Sequence, residues 1–295
     1  MKSMNIKIFL FMTAMPLLLI SSAAAHVFTY AEDSTVIGSV RTYKTRGGES
    51  LIELARRFGL GYNEITEANP KLDPFVPGDN TAVTVPTAWV LPDVPSYDGI
   101  IVNLSEMRIY YFYAKKKPSV VTFPIGVGSE GKETPEGTFR IVEKIVKPSW
   151  YVPESILREK PELPKVVPPG PDNPLGSHAM RLSEKTILIH GTNRPYAVGR
   201  KASHGCIRMY PEDIPKLFEM VPQKAKVTIV RQPVKVGSVN GRVYIEIHRD
   251  KEININYFNE AVRLLVKKRL FQSADKEKML AALQEKRGMP VDISN

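Results

Sequence analysis

The chain has 295 residues, with 41 Lys and Arg against 31 Asp and Glu, a formal net charge of +10 and 43% hydrophobic residues. That apolar content excludes a disordered polymer, and the length is enough for two domains. The excess of base draws the surface to anionic partners, but the basic side chains are dispersed rather than gathered into a motif, which argues against nucleic acid.

Lys2 and Lys7 precede an apolar run from Ile8 to Ile20 and then Ser21-Ser22-Ala23-Ala24-Ala25. These are the three regions of a cleaved signal peptide, expected over residues 1–25. The run falls short of the ~20 residues of a membrane span, and an uncleaved anchor is the alternative. No cysteine follows the run to take a lipid.

From 41 to 87 a compact βααβ unit is expected. Ser50 caps a helix whose Leu51, Leu54, Ala55 and Phe58 share one face, and Gly59 ends it. A second helix covers Tyr62 to Ala68, stopped by Asn69-Pro70, and Val76-Pro77-Gly78 turns the chain into a closing strand from Ala82 to Val85. The order of these elements, with the Gly-x-Ser-Leu start, the Asn-Pro and the Pro-Gly turn, resembles a LysM module. That resemblance implies binding to N-acetylglucosamine-containing glycans. Thr87 to Asp98, with Pro92 and Pro95, reads as a semi-rigid linker.

Short strands follow. Ile100–Leu104 and Arg108–Phe112 bracket Ser105-Glu106, Val120–Val127 alternates around Pro124, and Thr138–Val146 follows the turn at Thr134-Pro135-Glu136-Gly137. The spacing predicts a mainly β domain over 98–231, a sandwich or an open barrel. Pro148 to Pro174 is dense in proline and lacks periodicity, which suits a lid or groove wall, with disorder as the alternative. A strand at Thr186–Ile189 delivers His190, a helix covers Glu212–Val221 and a last strand Val227–Val230. Residues 232–295 form a mixed extension with a strand at Val243–Ile247 and helices at Tyr257–Phe271 and Ala274–Lys286, read as a packing or partner surface. The fold class is therefore α+β, mainly β: a small βααβ module, a β-sandwich-like domain and a mixed C-terminal extension.

The single cysteine, Cys206, lies in Ser203-His204-Gly205-Cys206-Ile207-Arg208, and His190-Gly191-Thr192 precedes it. Exported proteins usually pair their cysteines, so a lone thiol flanked by Ser, His, Gly and Arg reads as a nucleophile rather than a small buried hydrophobe. A thiol attacks as thiolate and needs a base or cation beside it. His190 is the expected general base and acid, and His204 shapes the loop or supports the charge. Gly205 lets a ligand approach the backbone, so the amides of Gly205, Cys206 and Ile207 are candidate oxyanion donors, with Gly191 in the same substrate-binding group. Arg208 is placed to hold a carboxylate or to pair with Asp213 or Glu212, and Ser203 to hydrogen-bond the neighbouring backbone. His190, His204 and Cys206 also supply three ligand types for zinc, but the glycine and backbone arrangement suits acyl transfer, so neither metal nor cofactor is expected.

The His190-Gly191-Thr192 and Ser203-to-Arg208 motifs, with Thr134-Pro135-x-Gly-x-Phe139 and Pro168-Pro169-Gly170-Pro171-x-Asn173-Pro174-Leu175-Gly176, resemble the L,D-transpeptidases, the YkuD catalytic domain. The tail sequence Arg287-Gly288-Met289-Pro290-Val291 is similar to the ErfK/YbiS/YcfS/YnhG group of Gram-negative bacteria. Some members have Gln at the position of His204, which gives the base role to His190. The resemblance implies a periplasmic enzyme on peptidoglycan stem peptides. Cys206 would attack the third residue, meso-diaminopimelate, expel D-Ala and hold a thioester. The acceptor is a diaminopimelate amine, giving a 3-3 cross-link, or a lysine of an outer-membrane lipoprotein. A hydrolase admitting water and a noncatalytic LysM binding protein are the competing readings. An accessible thiolate among periplasmic oxidants also calls for a reducing partner.

Overall fold

The computed structural model describes residues 27–114 and 117–295. The expected signal peptide over 1–25 lies outside the described residues, as do Lys115 and Lys116.

The chain opens with β1 (Val27–Thr29) and β2 (Val36–Gly38), then β3 (Arg41–Lys44), α1 (Leu51–Arg57), α2 (Tyr62–Ala68), β4 (Ala82–Val85) and β5 (Ala88–Val90). A capping box starts α1: Ser50 Oγ accepts from the Glu53 amide at 3.2 Å, and the Glu53 carboxylate accepts from the Ser50 amide at 2.9 Å. Strands β3 and β4 pair antiparallel, closing the βααβ unit.

Thr87 to Asp98 is not a free linker. Ala88–Val90 pairs with β2, Trp89 and Leu91 are buried, and the Val90 amide donates to the buried Glu246 carboxylate at 2.6 Å. The two prolines follow this strand, so proline density marked only the end of the segment.

Next come β6 (Gly99–Asn103), β7 (Arg108–Ala114), β8 (Pro118–Pro124), β9 (Val127–Gly128), β10 (Gly137–Val146), β11 (Trp150–Tyr151), α3 (Glu154–Glu159), β12 (Val166–Val167), β13 (His178–Leu182) and β14 (Leu188–His190). They are followed by β15 (Lys201–Ser203), β16 (Ile207–Arg208), α4 (Ile214–Met220) and β17 (Lys226–Val230). Among the described residues nine strands bond into one sheet in the order β1-β8-β7-β6-β17-β10-β13-β14-β16. The first half of β10 pairs with β17 and the second half with β13, with a register shift between Ile141 and Glu143. That irregularity bends the sheet so that both arms face one core.

Alternation along the central strands feeds two cores. Ile100, Val102, Ile109 and Tyr111 join Met180, Ile189 and Ile207 on the inner side. Ile101, Tyr110, Phe112 and Val120 meet Leu51, Leu54, Ile65 and Trp89 of the βααβ unit on the other. The unit therefore packs on the back of the sheet and shares a core with it.

The extension contains β18 (Val234–Val239), β19 (Arg242–Ile247), α5 (Tyr257–Lys267), α6 (Lys276–Glu285) and β20 (Val291–Asp292) around a third core. It has a strand more than expected before Val243, because Val234, Val236 and Gly237 are buried between Pro233 and the turn at Asn240-Gly241. Lys235, inside that strand, is fully buried between Glu106 (2.7 Å) and Glu246 (2.9 Å).

Candidate active site

The site is built on the edge of the sheet, where β14 and β16 run parallel with Ile189 opposite Ile207 and His190 opposite Arg208. Side chains alternate along a strand, and Ile189 and Ile207 are both in the core. His190 and Arg208 therefore share the other face, and Cys206 immediately precedes β16. The loop excursion at Asn193–Gly205 returns the chain beside the strand it left.

His190 is almost wholly buried, 3% exposed, and its Nδ1 lies 2.6 Å from the Gly191 carbonyl oxygen. A carbonyl only accepts, so Nδ1 carries the proton and Nε2 keeps its lone pair. Burial and the Arg208 charge hold the imidazole down at about 4. Cys206 is half-buried, and its Sγ approaches the Thr186 carbonyl at 3.6 Å. Burial pushes the thiol up, and the Leu188 amide with the Arg208 and Arg181 charges does not offset it. The pair thus rests as neutral thiol and neutral imidazole, with no hydrogen bond between them.

The loop carrying Cys206 is braced from below. Thr134 Oγ1 donates to the Gly205 carbonyl at 2.9 Å while accepting from the Gly128 amide at 3.0 Å. Gly205 has φ +96°, and a Cβ there would lie 3.2 Å from Ile187 Cδ1. Since the peptide is planar and trans, pinning the Gly205 carbonyl turns the Cys206 N–H the opposite way. No acceptor takes the Gly205 or Cys206 amide among the described residues.

Other expected contributors have structural duties. Ser203 Oγ donates to the Cys206 carbonyl at 2.6 Å. The Gly191 amide donates to the His178 carbonyl, and Ile207 belongs to the parallel ladder, so neither amide is a free oxyanion donor. Arg208 pairs with neither expected acid, because Glu212 takes Arg56 and Asp213 takes Lys216. Its Nε is buried without a partner. His204 is exposed and meets Glu159 at 3.4 Å.

Glu159 ends α3, and it also takes Lys132. The proline-rich stretch is therefore an ordered flap: β11 pairs with β12, and Glu159 ties the flap to the Cys206 loop. Fully buried Asn173 fastens its base. Its Nδ2 donates to the carbonyls of Pro148 (2.9 Å), Val167 (3.1 Å) and Pro168 (3.1 Å), and its Oδ1 accepts from the Leu175 amide at 2.9 Å. Thr186, Glu159 and Lys132 were not singled out in the sequence, for nothing in their neighbours marks which surface residues fold back on a distant loop.

His190, His204 and Cys206 do not converge as metal ligands. The ligand-type grouping among the described residues is Glu106, Glu246 and His248, and the Lys235 ammonium already bridges its two carboxylates.

The arrangement gathers a thiol, an imidazole with a free Nε2 lone pair, two unused amides and a guanidinium whose Nε has no partner, groups that acyl transfer can use. The L,D-transpeptidase catalytic domain, YkuD, matches residues 97–229. Over 261 residues the chain is 36% identical to the probable L,D-transpeptidase YcfS of Escherichia coli K12, covering 83% of this chain and 81% of the relative. It is 36% identical over 296 residues to the probable L,D-transpeptidase ErfK/SrfK of the same strain, covering 94% of each. To YbiS, a third probable L,D-transpeptidase of that strain, it is 37% identical over 237 residues, covering 77% of this chain and 76% of the relative. The matched domain contains β14 with His190 and the loop with Cys206, and the likeness runs through the units on either side of it: this chain belongs to the L,D-transpeptidase family of enzymes.

Proposed function

We propose that Cys206 is the nucleophile and His190 the general base and acid of a peptidoglycan L,D-transpeptidase. The observation that carries this is the β14–β16 pairing, which puts a single-tautomer imidazole opposite Arg208, with the half-buried Cys206 thiol at the residue before β16. The thiol proton passes to His190 Nε2 as Sγ attacks the carbonyl carbon of the third stem residue, meso-diaminopimelate. The imidazolium gives that proton to the nitrogen of the departing D-Ala as the C–N bond breaks, leaving a thioester on Sγ. An acceptor amine then attacks the thioester, and its proton travels through Nε2 to the sulfur as the C–S bond breaks. The Gly205 and Cys206 amides stabilise the oxyanion, each such donor being worth ~3 kcal/mol. Arg208 holds a stem carboxylate, while Ser203, Gly191 and Ile207 hold the backbone and His204 keeps the loop against the flap.

The acceptor is a diaminopimelate amine or a lysine of an outer-membrane lipoprotein. The signal-peptide pattern of residues 1–25 supports export to the periplasm, where a thiol reductant would keep Cys206 reduced. The domains are read as a LysM module at 41–87, a catalytic domain at 98–231 and an extension at 232–295. What supports the LysM reading is the β3-α1-α2-β4 order and the adjacency of its two loops, the Leu51 amide donating to the Pro74 carbonyl at 2.9 Å.

The test is intact-protein mass spectrometry of reduced protein with a disaccharide-tetrapeptide, alongside Cys206→Ala. A mass gain equal to the donor minus D-Ala, absent in the variant, is expected. No adduct on reduced wild-type protein would sink the proposal.

A further inference from the structure

The Arg287-Gly288 turn at the end of the extension takes no part in the cysteine chemistry, yet it is built onto the βααβ unit. Gly288 has φ +61°, and a Cβ there would lie 2.5 Å from Glu67 Oε2 and 3.2 Å from His248 Nδ1, so glycine lets the turn press against α2. Its amide donates to the Ile247 carbonyl at 2.9 Å, which fixes the turn on β19. Arg287 Nη2 donates to the Ala68 carbonyl at the end of α2 at 2.6 Å, while its Nε is buried without a partner.

Beside this junction opens a cleft of about 410 Å³. That volume is within the range of small-molecule sites, ~300–1,000 Å³. Pro70, Leu72 and Ala82 line it from the βααβ unit, with Lys71, and Glu285 and Arg287 line it from the extension. Apolar surfaces suit the face of a sugar ring. Two cations, Lys71 and Arg287, against one carboxylate, Glu285, among the lining residues favour a ligand with a negative charge.

We propose that this cleft is a saccharide subsite that takes a carboxylate-bearing sugar of a glycan strand, at a position where no stem peptide occupies the carboxyl group. It rests on the peptidoglycan reading above and adds a role for the extension: the unit at 41–87 supplies one wall of the subsite and the tail the other. A neutral sugar would leave the guanidinium as it is, so the discriminating feature of the ligand is its charge.

The experiment uses the full chain with Cys206→Ala, so that no acylation intervenes. The probe is a peptide-free tetrasaccharide of alternating N-acetylglucosamine and N-acetylmuramic acid with free carboxylates, compared by calorimetry with the neutral N-acetylglucosamine tetramer. At least a tenfold preference for the anionic probe is expected. Lys71→Ala should weaken that preference, and Ala82→Trp, at an exposed position, should remove it by filling the cleft; thermal unfolding checks that both variants fold. Equal affinity for the two probes, or a preference intact in folded Ala82→Trp, would overturn the proposal. Acyl-enzyme formation with a tetrapeptide donor, measured on chain that retains Cys206, reports the cysteine chemistry alone, so the two readings fail separately.

Discussion

The Arg108 guanidinium donates to both oxygens of the Glu64 carboxylate, Nε to Oε1 and Nη2 to Oε2, each at 2.9 Å, with both side chains buried. Glu64 also caps the Gly61 amide at 2.7 Å and accepts from Trp89 Nε1 at 2.9 Å, and the guanidinium lies over the Trp89 ring. Removing one partner of such a pair leaves a buried charge, so Glu64→Gln or Arg108→Met should each cost roughly 3–5 kcal/mol. Because the pair joins the βααβ unit to the sheet, unfolding should remain one transition in the wild type. Two separated calorimetric transitions would show that the units fold independently.

The neutral resting pair sets the reactivity of the free enzyme. Burial holds the thiol up, so the rate of Cys206 alkylation by iodoacetamide should rise with a midpoint above that of a free thiol, and His190→Gln should barely move it. The same variant should slow acylation by 10²-fold or more, the usual scale of a general base. A midpoint near neutrality in wild type would show a preformed ion pair instead.

Two buried histidines should give stability a maximum in pH. His190 titrates near 4 when folded, against ~6.5 unfolded, so its contribution is complete above ~6.5 and is lost as pH falls to about 4, about 3 kcal/mol in all. His248 behaves oppositely. Burial alone would lower it, but the carboxylates of Glu246 (2.6 Å) and Glu67 (3.4 Å) raise it to about 10. Its contribution is complete below ~6.5 and fades as pH rises towards 10. Urea unfolding across pH 4–10 should therefore peak near ~6.5, with the acid limb flattened in His190→Gln and the alkaline limb in His248→Gln. A curve that keeps its acid limb in His190→Gln would assign that limb to other groups.

Asn173 should govern the flap rather than the fold. Asn173→Ala strips acceptors and donors from four backbone groups, which at ~1 kcal/mol each is enough to free a short hairpin. Hydrogen exchange should quicken at 148–172 while β6 and β7 stay protected. Uniform loss of protection would mean that Asn173 supports the core.

Helices α1 and α2 and the central strands were readable because their apolar residues repeat with the helical or the strand period. The Cys206 loop was readable because its residues are chemically unusual for a chain with a single thiol. Glu64, Arg108, Lys235 and Glu246 gave no such sign: charged residues carry the same letters whether solvated or buried in pairs, and their partners lie in distant parts of the chain. The strand at Ala88–Val90 was hidden for a related reason, since three residues are too few to show a period beside two prolines. The amide availability of Gly205 and Cys206, against the commitment of Gly191 and Ile207, depends on ladder register, which pairs residues that are remote in sequence.

The histidine of this site leans on a main-chain carbonyl where many nucleophilic triads place a carboxylate. Gly191 orients the ring but brings no negative charge, and Arg208 opposite makes the cationic ring less welcome still. On the proposed mechanism an imidazolium formed here is a short-lived carrier: it passes its proton to the departing nitrogen in the first half-reaction and to the sulfur in the second, and cannot store it. An adduct with no amine to expel would take the reverse course and return the proton to sulfur, so unproductive encounters with the thiol should collapse to starting material.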